Sequence, residues 1–170
     1  DANGEYDFSN LDGDLYWIKE TDDVAYTSVT NNKVSINVVS GLQSKLDFAD
    51  IQKGTISGVV FDDRDGNSTK STIESGLENV TVGWYEKGNK STNGTTTTDA
   101  NGLYSFSVTA GKSYVITETD PTNYGSIDSN IKTVNVTSGG AATANFADIK
   151  KWTISGMVFA DDNGNEKFDD

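Results

Sequence analysis

The sequence repeats itself at a fixed distance, and that restricts its fold more than any other feature. Asp1-Ala2-Asn3-Gly4 returns as Asp99-Ala100-Asn101-Gly102, Phe48-Ala49-Asp50-Ile51 as Phe146-Ala147-Asp148-Ile149, and Thr55-Ile56-Ser57-Gly58 as Thr153-Ile154-Ser155-Gly156. The offsets 99 − 1, 146 − 48 and 153 − 55 all equal 98, so no residue is gained or lost between these landmarks. A period of that size is long for a stacked solenoid unit and suits one small globular domain, so the chain reads as beads on a string. Ile51-Gln52-Lys53-Gly54 and Ile149-Lys150-Lys151-Trp152 precede the two Thr-Ile-Ser-Gly motifs and read as linkers. The phase then makes residues 55–150 one complete domain, residues 1–52 the C-terminal part of a preceding one, and residues 153–170 the opening of a following one. Completion of a partial domain by a strand from an identical subunit is the alternative arrangement.

Within the complete unit the hydrophobic period is two. Ile56, Gly58, Val60 and Asp62 alternate with Thr55, Ser57, Val59 and Phe61, and Val80, Val82 and Trp84 alternate with Thr81, Gly83 and Tyr85. Leu103 to Val108, Tyr114 to Thr117, Ile131 to Asn135, and Ala144 with Phe146 continue the pattern between Asn-Gly, Ala-Gly and Gly-Gly turns. Strands this short and this regularly punctuated predict an all-β, Ig-like antiparallel sandwich of about seven strands. No segment carries a 3.6-residue helical stripe, and the lone proline, Pro121, falls in a connection where it breaks no ladder. Around Asp99 the pattern predicts a hairpin whose tight turn is capped by the Asp99 side chain.

Residues 63–74 carry the most specific chemistry. Counted from Asp63, oxygen-bearing side chains stand at positions 1 (Asp63), 3 (Asp65), 5 (Asn67), 9 (Ser71) and 12 (Glu74), and the backbone carbonyl of Thr69 falls at position 7. A calcium ion takes six to eight oxygens at about 2.3–2.6 Å, and this is the spacing with which a short loop turns them inward. The spacing begins again one period later, with Asp161, Asn163, Asn165 and Asp169 at positions 1, 3, 5 and 9. Ser68 and Glu166 replace the glycine usual at position 6, and no helical pattern flanks either loop, so the likeness to an EF-hand is one of spacing. A solvated acidic turn is the plainer alternative.

Composition removes other classes of function. The net charge of −13 repels nucleic acid and anionic membranes, while it suits divalent cations. Cysteine and histidine are both absent, which excludes disulfides, thiolate or imidazole metal sites, and catalysis through a histidine base or cysteine nucleophile. Paired carboxylates can hydrolyse glycosides without histidine, but the clustered acids here belong to turns or to the cation loop, and no catalysis is expected. No apolar run is long enough to cross a bilayer, and no signal-peptide pattern opens the sequence, so a secretion signal is expected upstream.

These landmarks resemble a family. Val60-Phe61-x-Asp63-x-Asp65-x-Asn67, Ser71, Glu74-x-Gly76-Leu77-x-x-Val80-x-Val82, Thr98-Asp99-x-x-Gly102-x-Tyr104-x-Phe106, Gly111, Tyr114 and Pro121-x-x-Tyr124 are similar to the B-type repeat of the serine-aspartate-repeat adhesins, itself similar to the collagen-adhesin B-type, prealbumin-like sandwich. The resemblance implies calcium-stiffened extracellular stalks on the cell surface, with neighbouring repeats or identical subunits as partners. It implies Asp63, Asp65, Asn67, Ser71 and Glu74 as calcium ligands, although the family usually has an acid where Ser71 stands. Some relatives carry a lysine-to-asparagine isopeptide crosslink beside a buried acid. Glu118 and Asn145 stand for the second and third roles, but the first strand offers no lysine and Lys53 lies outside it, so no crosslink is expected.

Trp84-Tyr85 as a sugar platform would instead make the chain a carbohydrate-binding or adhesive module of a secreted protein, with glycans as partners. A tryptophan in an alternating strand is more often core, and Trp17 is expected there too. Trp152, at a junction, is expected to pack neighbouring domains together. Asn-x-Ser/Thr sequons occur at Asn67, Asn79, Asn89, Asn93 and Asn135, of which Asn89 and Asn93 lie in a polar stretch open to glycosylation.

Overall fold

Alternating β-branched and aromatic residues extend into strands in the computed structural model, which describes residues 1–39, 41–162 and 164–168. The first four strands are β1 (Leu15–Lys19), β2 (Tyr26–Ser28), β3 (Lys33–Asn37) and β4 (Asp50–Gln52), and they form two small antiparallel ladders, β1 with β3 and β2 with β4. The complete unit follows as β5 (Gly54–Asp62), β6 (Thr81–Glu86), β7 (Asn89–Thr97), β8 (Leu103–Val108), β9 (Lys112–Glu118), β10 (Tyr124–Ser126), β11 (Ile131–Val136), β12 (Ala141–Thr143) and β13 (Phe146–Lys150). One layer is ordered β11-β9-β6-β7; the other runs β10-β13-β5-β12, with β8 on β5 as well. No helix occurs among the described residues, and none is therefore long and apolar enough to cross a membrane.

The sandwich is all-β as the alternation predicts, but it is not wholly antiparallel. The first strand lies parallel to the last two, β12 pairing Thr143 with Ser57 and β13 pairing Phe146 with Val60. Side-chain alternation is blind to strand direction, so the sequence carries no sign of this. Alternation also understates the burial of β5. Ile56 and Val60 enter the main core with Val82, Tyr104, Phe106, Tyr114, Ile116 and Phe146, while Val59 and Phe61 on the opposite face are covered by Ala147 and Ile127. The central strand is thus buried on both sides at its C-terminal end.

Trp84 packs edge-on against Tyr114 and Phe106, with ring centroids 5.4 and 6.1 Å away, and it adjoins the core. Trp84→Ala is therefore expected to cost about 2–3 kcal/mol, read as a lowered urea midpoint at unchanged slope. A midpoint that does not move would release this ring for ligand binding. Trp17 departs from expectation. It is 62% exposed, because Tyr16 and Ile18 take the inward positions of β1, and the Lys33 ammonium lies 4.8 Å from its ring centre.

Residues 1–52 fold as a copy of the second half of the complete unit. Adding the period of 98 converts the pair Leu15 and Asn37 into Ser113 and Asn135, and Tyr26 and Gln52 into Tyr124 and Lys150; all four are paired in register. Tyr114, Ile116 and Phe146 are fully buried, whereas their counterparts Tyr16, Ile18 and Phe48 are half-buried. Strands β5 to β7 cover that face in the complete unit, and residues 1–52 contain no counterpart of them.

Candidate metal centre

The loop of residues 63–74 begins where β5 ends, and its first residue is fixed by the last strand. The Asp63 amide donates to the Asp148 carbonyl of β13 at 2.7 Å, and the Asp63 side chain is fully buried. Its Oδ1 accepts the amides of Gly66 and Asn67 at 2.9 and 3.2 Å, and its Oδ2 accepts that of Ser68 at 2.7 Å. Burial alone would raise the Asp63 pKa, but the amides of Ser68, Asn67 and Gly66 outweigh it and hold the carboxyl below its usual range. The group is therefore a carboxylate at neutral pH.

The other sequence-derived ligands gather round it. Carboxylate oxygens of Asp63, Asp65 and Glu74 lie within 4.8 Å of one another, the separation open to oxygens sharing one calcium ion. Asp65 Oδ2 accepts the Asn67 side-chain amide at 2.8 Å, and Asn67 Oδ1 accepts the Thr69 amide at 2.6 Å. Glu74 closes the loop by accepting the Arg64 amide on Oε1 at 3.0 Å, with the Ser71 amide and hydroxyl on Oε2 at 2.8 and 3.1 Å. The Ser71 hydroxyl is turned toward Glu74, so the ninth position sits within the same cradle. Three acids this close repel one another, and the arrangement can hold a hard cation.

The residue types at position 6 do not alter the backbone. Ser68 has φ 58° and Glu166 φ 60°, the left-handed conformation that glycine ordinarily supplies, and Gly66 and Gly164 two residues earlier also match, at 72° and 69°. The second loop repeats the first bond for bond where it is described. Asp161 accepts the amides of Asn165 and Glu166 at 3.0 and 2.8 Å, and Asn165 accepts that of Lys167 at 2.8 Å. Asn163 and Asp169 lie outside the described residues.

The pairing considered for a crosslink is replaced by another. Asn145 is exposed, its Oδ1 accepting the Val59 amide at 3.1 Å, while Glu118 instead meets Asp120 and Asp148. Burial, then the nearby Asp148, Asp120 and Asp128 charges, push Glu118 up to about 8. Burial first, with Asp120 and Asp128, pushes Asp148 up to about 6 against the pull of Lys151. Sequence reasoning passed over Asp120 and Asp148 as site residues, although Asp148 lies inside a motif that defined the repeat. The turn at Asp99 is capped as its sequence predicts, Asp99 Oδ1 accepting the amides of Asn101 and Leu103 at 2.8 and 2.9 Å.

Comparison with known proteins adds a family and a fold. The family model described as the SdrD B-like domain matches residues 54–158. No curated protein matches the sequence significantly. Among solved structures, the chain is similar to the Bacillus anthracis TIE protein, with 23% identity and TM-score 0.50, covering 83% of this chain and 26% of that one. The chain thus spans about a quarter of the length of that relative, and the likeness is one of fold. It is also similar to the minor pilin GBS52 of Streptococcus agalactiae (14% identity, TM-score 0.49, 85% of this chain and 84% of that one). The full-length major pilin SpaD of Corynebacterium diphtheriae matches at 14% identity and TM-score 0.47, over 71% of this chain and 34% of that one.

Proposed function

Because the chain belongs to the SdrD B-like domain family, we propose that it is an extracellular structural module, a calcium-stiffened β-sandwich repeat of a cell-surface stalk, filament or surface layer. The observation that carries this reading is the convergence of Asp63, Asp65 and Glu74 at the end of β5, with the same loop geometry returning at Asp161. Calcium is the ion that hard oxygen donors at these loop positions suit, with Asp63, Asp65, Asn67, the Thr69 carbonyl, Ser71 and Glu74 as its ligands. Asp161, Asn163, Asn165 and Asp169 are the corresponding set in the next copy. The function is mechanical rather than catalytic.

Stiffening follows from where the loop is attached. Asp63 is bonded to Asp148, and β13 runs from Asp148 into the linker that precedes residue 153. A cation that immobilises the loop therefore immobilises the exit of the domain as well. The matched registers of residues 1–52 and 99–150 support reading the flanking segments as parts of neighbouring repeats, with such repeats, or identical subunits, as the partners.

Chelation is the direct test. A ligand at a hundredfold excess over its Kd stabilises the folded state by about 2.7 kcal/mol, so removing calcium is expected to lower the Tm by roughly 10 °C or more and to broaden the distribution of particle lengths in small-angle scattering. Asp65→Asn is expected to shrink both differences. Equal melting curves and equal lengths with and without chelator would defeat the proposal.

A further inference from the structure

We propose that Glu118, Asp120 and Asp148 form a second divalent-cation site, distinct from the loop, that clamps the two layers of the sandwich together. Glu118 ends β9 in one layer, Asp148 lies in β13 of the other, and Asp120 stands in the connection from β9 to β10. One oxygen from each comes within 4.8 Å of the other two. Two of the three acids are enclosed: Glu118 is 6% exposed and Asp148 0%.

Proximity of acids is not the argument; the state of their oxygens is. Both oxygens of Glu118 and both of Asp148 are buried without a hydrogen-bond partner. Lys151 exerts a field on Asp120 and Asp148, yet no ammonium or guanidinium forms an ion pair with Glu118 or Asp148 among the described residues. Enclosing carboxylate oxygens without a partner is costly, and pairing with a cation is one of the ways proteins relieve that cost. Hard oxygen donors with no nitrogen or sulfur select a calcium- or magnesium-like ion.

Asp120 is held ready for the same task. Its Oδ1 accepts the Ser126 hydroxyl at 2.6 Å and the Asn130 side-chain amide at 2.5 Å, which fixes the carboxylate beside the two enclosed acids. The whole assembly recurs one period earlier. Glu20, Asp22 and Asp50 form the matching cluster, Asp22 accepts Ser28 and Asn32 in the same pattern, and Glu20 Oε2 is again buried without a partner. Asp23 and Lys53, like Asp128 and Lys151 in the complete unit, are not part of either three-acid set.

Counting bound ions by calcium titration of the whole chain tests the assignment. The variant E118Q/D148N is expected to bind one calcium fewer than the parent, and its Tm is expected to respond less to calcium. The loop variant D63N/D65N is expected to lose a different ion, so failure of one site is told apart from failure of the other. An unchanged ion count in E118Q/D148N overturns the proposal. Should that variant not fold, crystals of the unsubstituted chain soaked in manganese decide the matter. An anomalous peak between the Glu118 and Asp148 carboxylates supports the site, and its absence alongside a peak in the loop overturns it.

Discussion

Gly58→Ala is expected to lower the melting temperature by about 15 °C or to prevent folding, equivalent to about 3 kcal/mol or more. A Cβ at Gly58 would stand 1.8 Å from the Ala144 carbonyl oxygen and 2.8 Å from the Tyr104 hydroxyl oxygen. Neither can retreat easily. Ala144 is 3% exposed, its amide donates to the Ser57 carbonyl at 3.0 Å, and its carbonyl accepts the buried Tyr104 hydroxyl. Gly58 sits where β5 passes from its pairing with β12 to its pairing with β13, so the clash falls at the joint of both parallel ladders. Calorimetry on Gly58→Ala, with Thr55→Ala on the exposed face of the same strand as control, measures it. A loss no larger than the control's would show that β5 can shift without cost. At Gly156, one period on, nothing lies within 4 Å of the equivalent Cβ, and alanine is expected to be tolerated there.

Freed of divalent cations, the chain is expected to become more stable as pH falls from about 8 to about 5. The sign follows from the direction of the shifts. Glu118 and Asp148 are raised in the folded state, to about 8 and about 6 from ordinary values of 4.5 and 3.8, so the folded chain holds protons that the unfolded chain has released. Their contribution is complete below the unfolded values and is lost as pH rises through the folded ones. Asp63 and Asp120 are lowered, so their contributions fade only below the ordinary aspartate value of 3.8, outside this window. The change across the window is expected to be on the order of 2 kcal/mol, about 10 °C in Tm. Melts in chelator at several pH values and constant ionic strength measure it, and Glu118→Gln should flatten the profile. Stability that rises toward pH 8 would contradict the assignment of these two acids. Calcium is expected to stabilise most at high pH, where it displaces no proton.

The sandwich and its loop were legible because both are written in local spacing. A period of two identifies strands whatever their partners, and positions 63, 65, 67, 71 and 74 keep ligand spacing without any knowledge of the fold. Position 6 misled only by residue type, since Ser68 and Glu166 adopt the dihedral that glycine would have supplied. What could not be read depends on contacts distant in sequence. The parallel docking of β13 on β5 joins residues far apart in the chain, and burial of Phe61 on the outer face depends on Ile127 and Ala147. Asp148 illustrates the boundary. It was visible as part of a repeated motif, but its meeting with Glu118 requires the two layers to close over one another.

The parallel pairing of β5 with β13 also determines how the domain answers a pull on its two ends. Tension enters at Gly54, where β5 begins, and leaves at Lys150, where β13 ends. Because the strands run the same way, that force slides one along the other and loads the ladder at Val60, Phe61 and Asp62 all at once. An antiparallel edge pulled from the same side would open bond by bond, like a zipper. The Asp63 amide on the Asp148 carbonyl extends the sheared patch up to the loop, so a cation bound there would sit on the line of force. Resistance to traction is thereby set by strand direction, a property of topology that the overall thermal stability does not report.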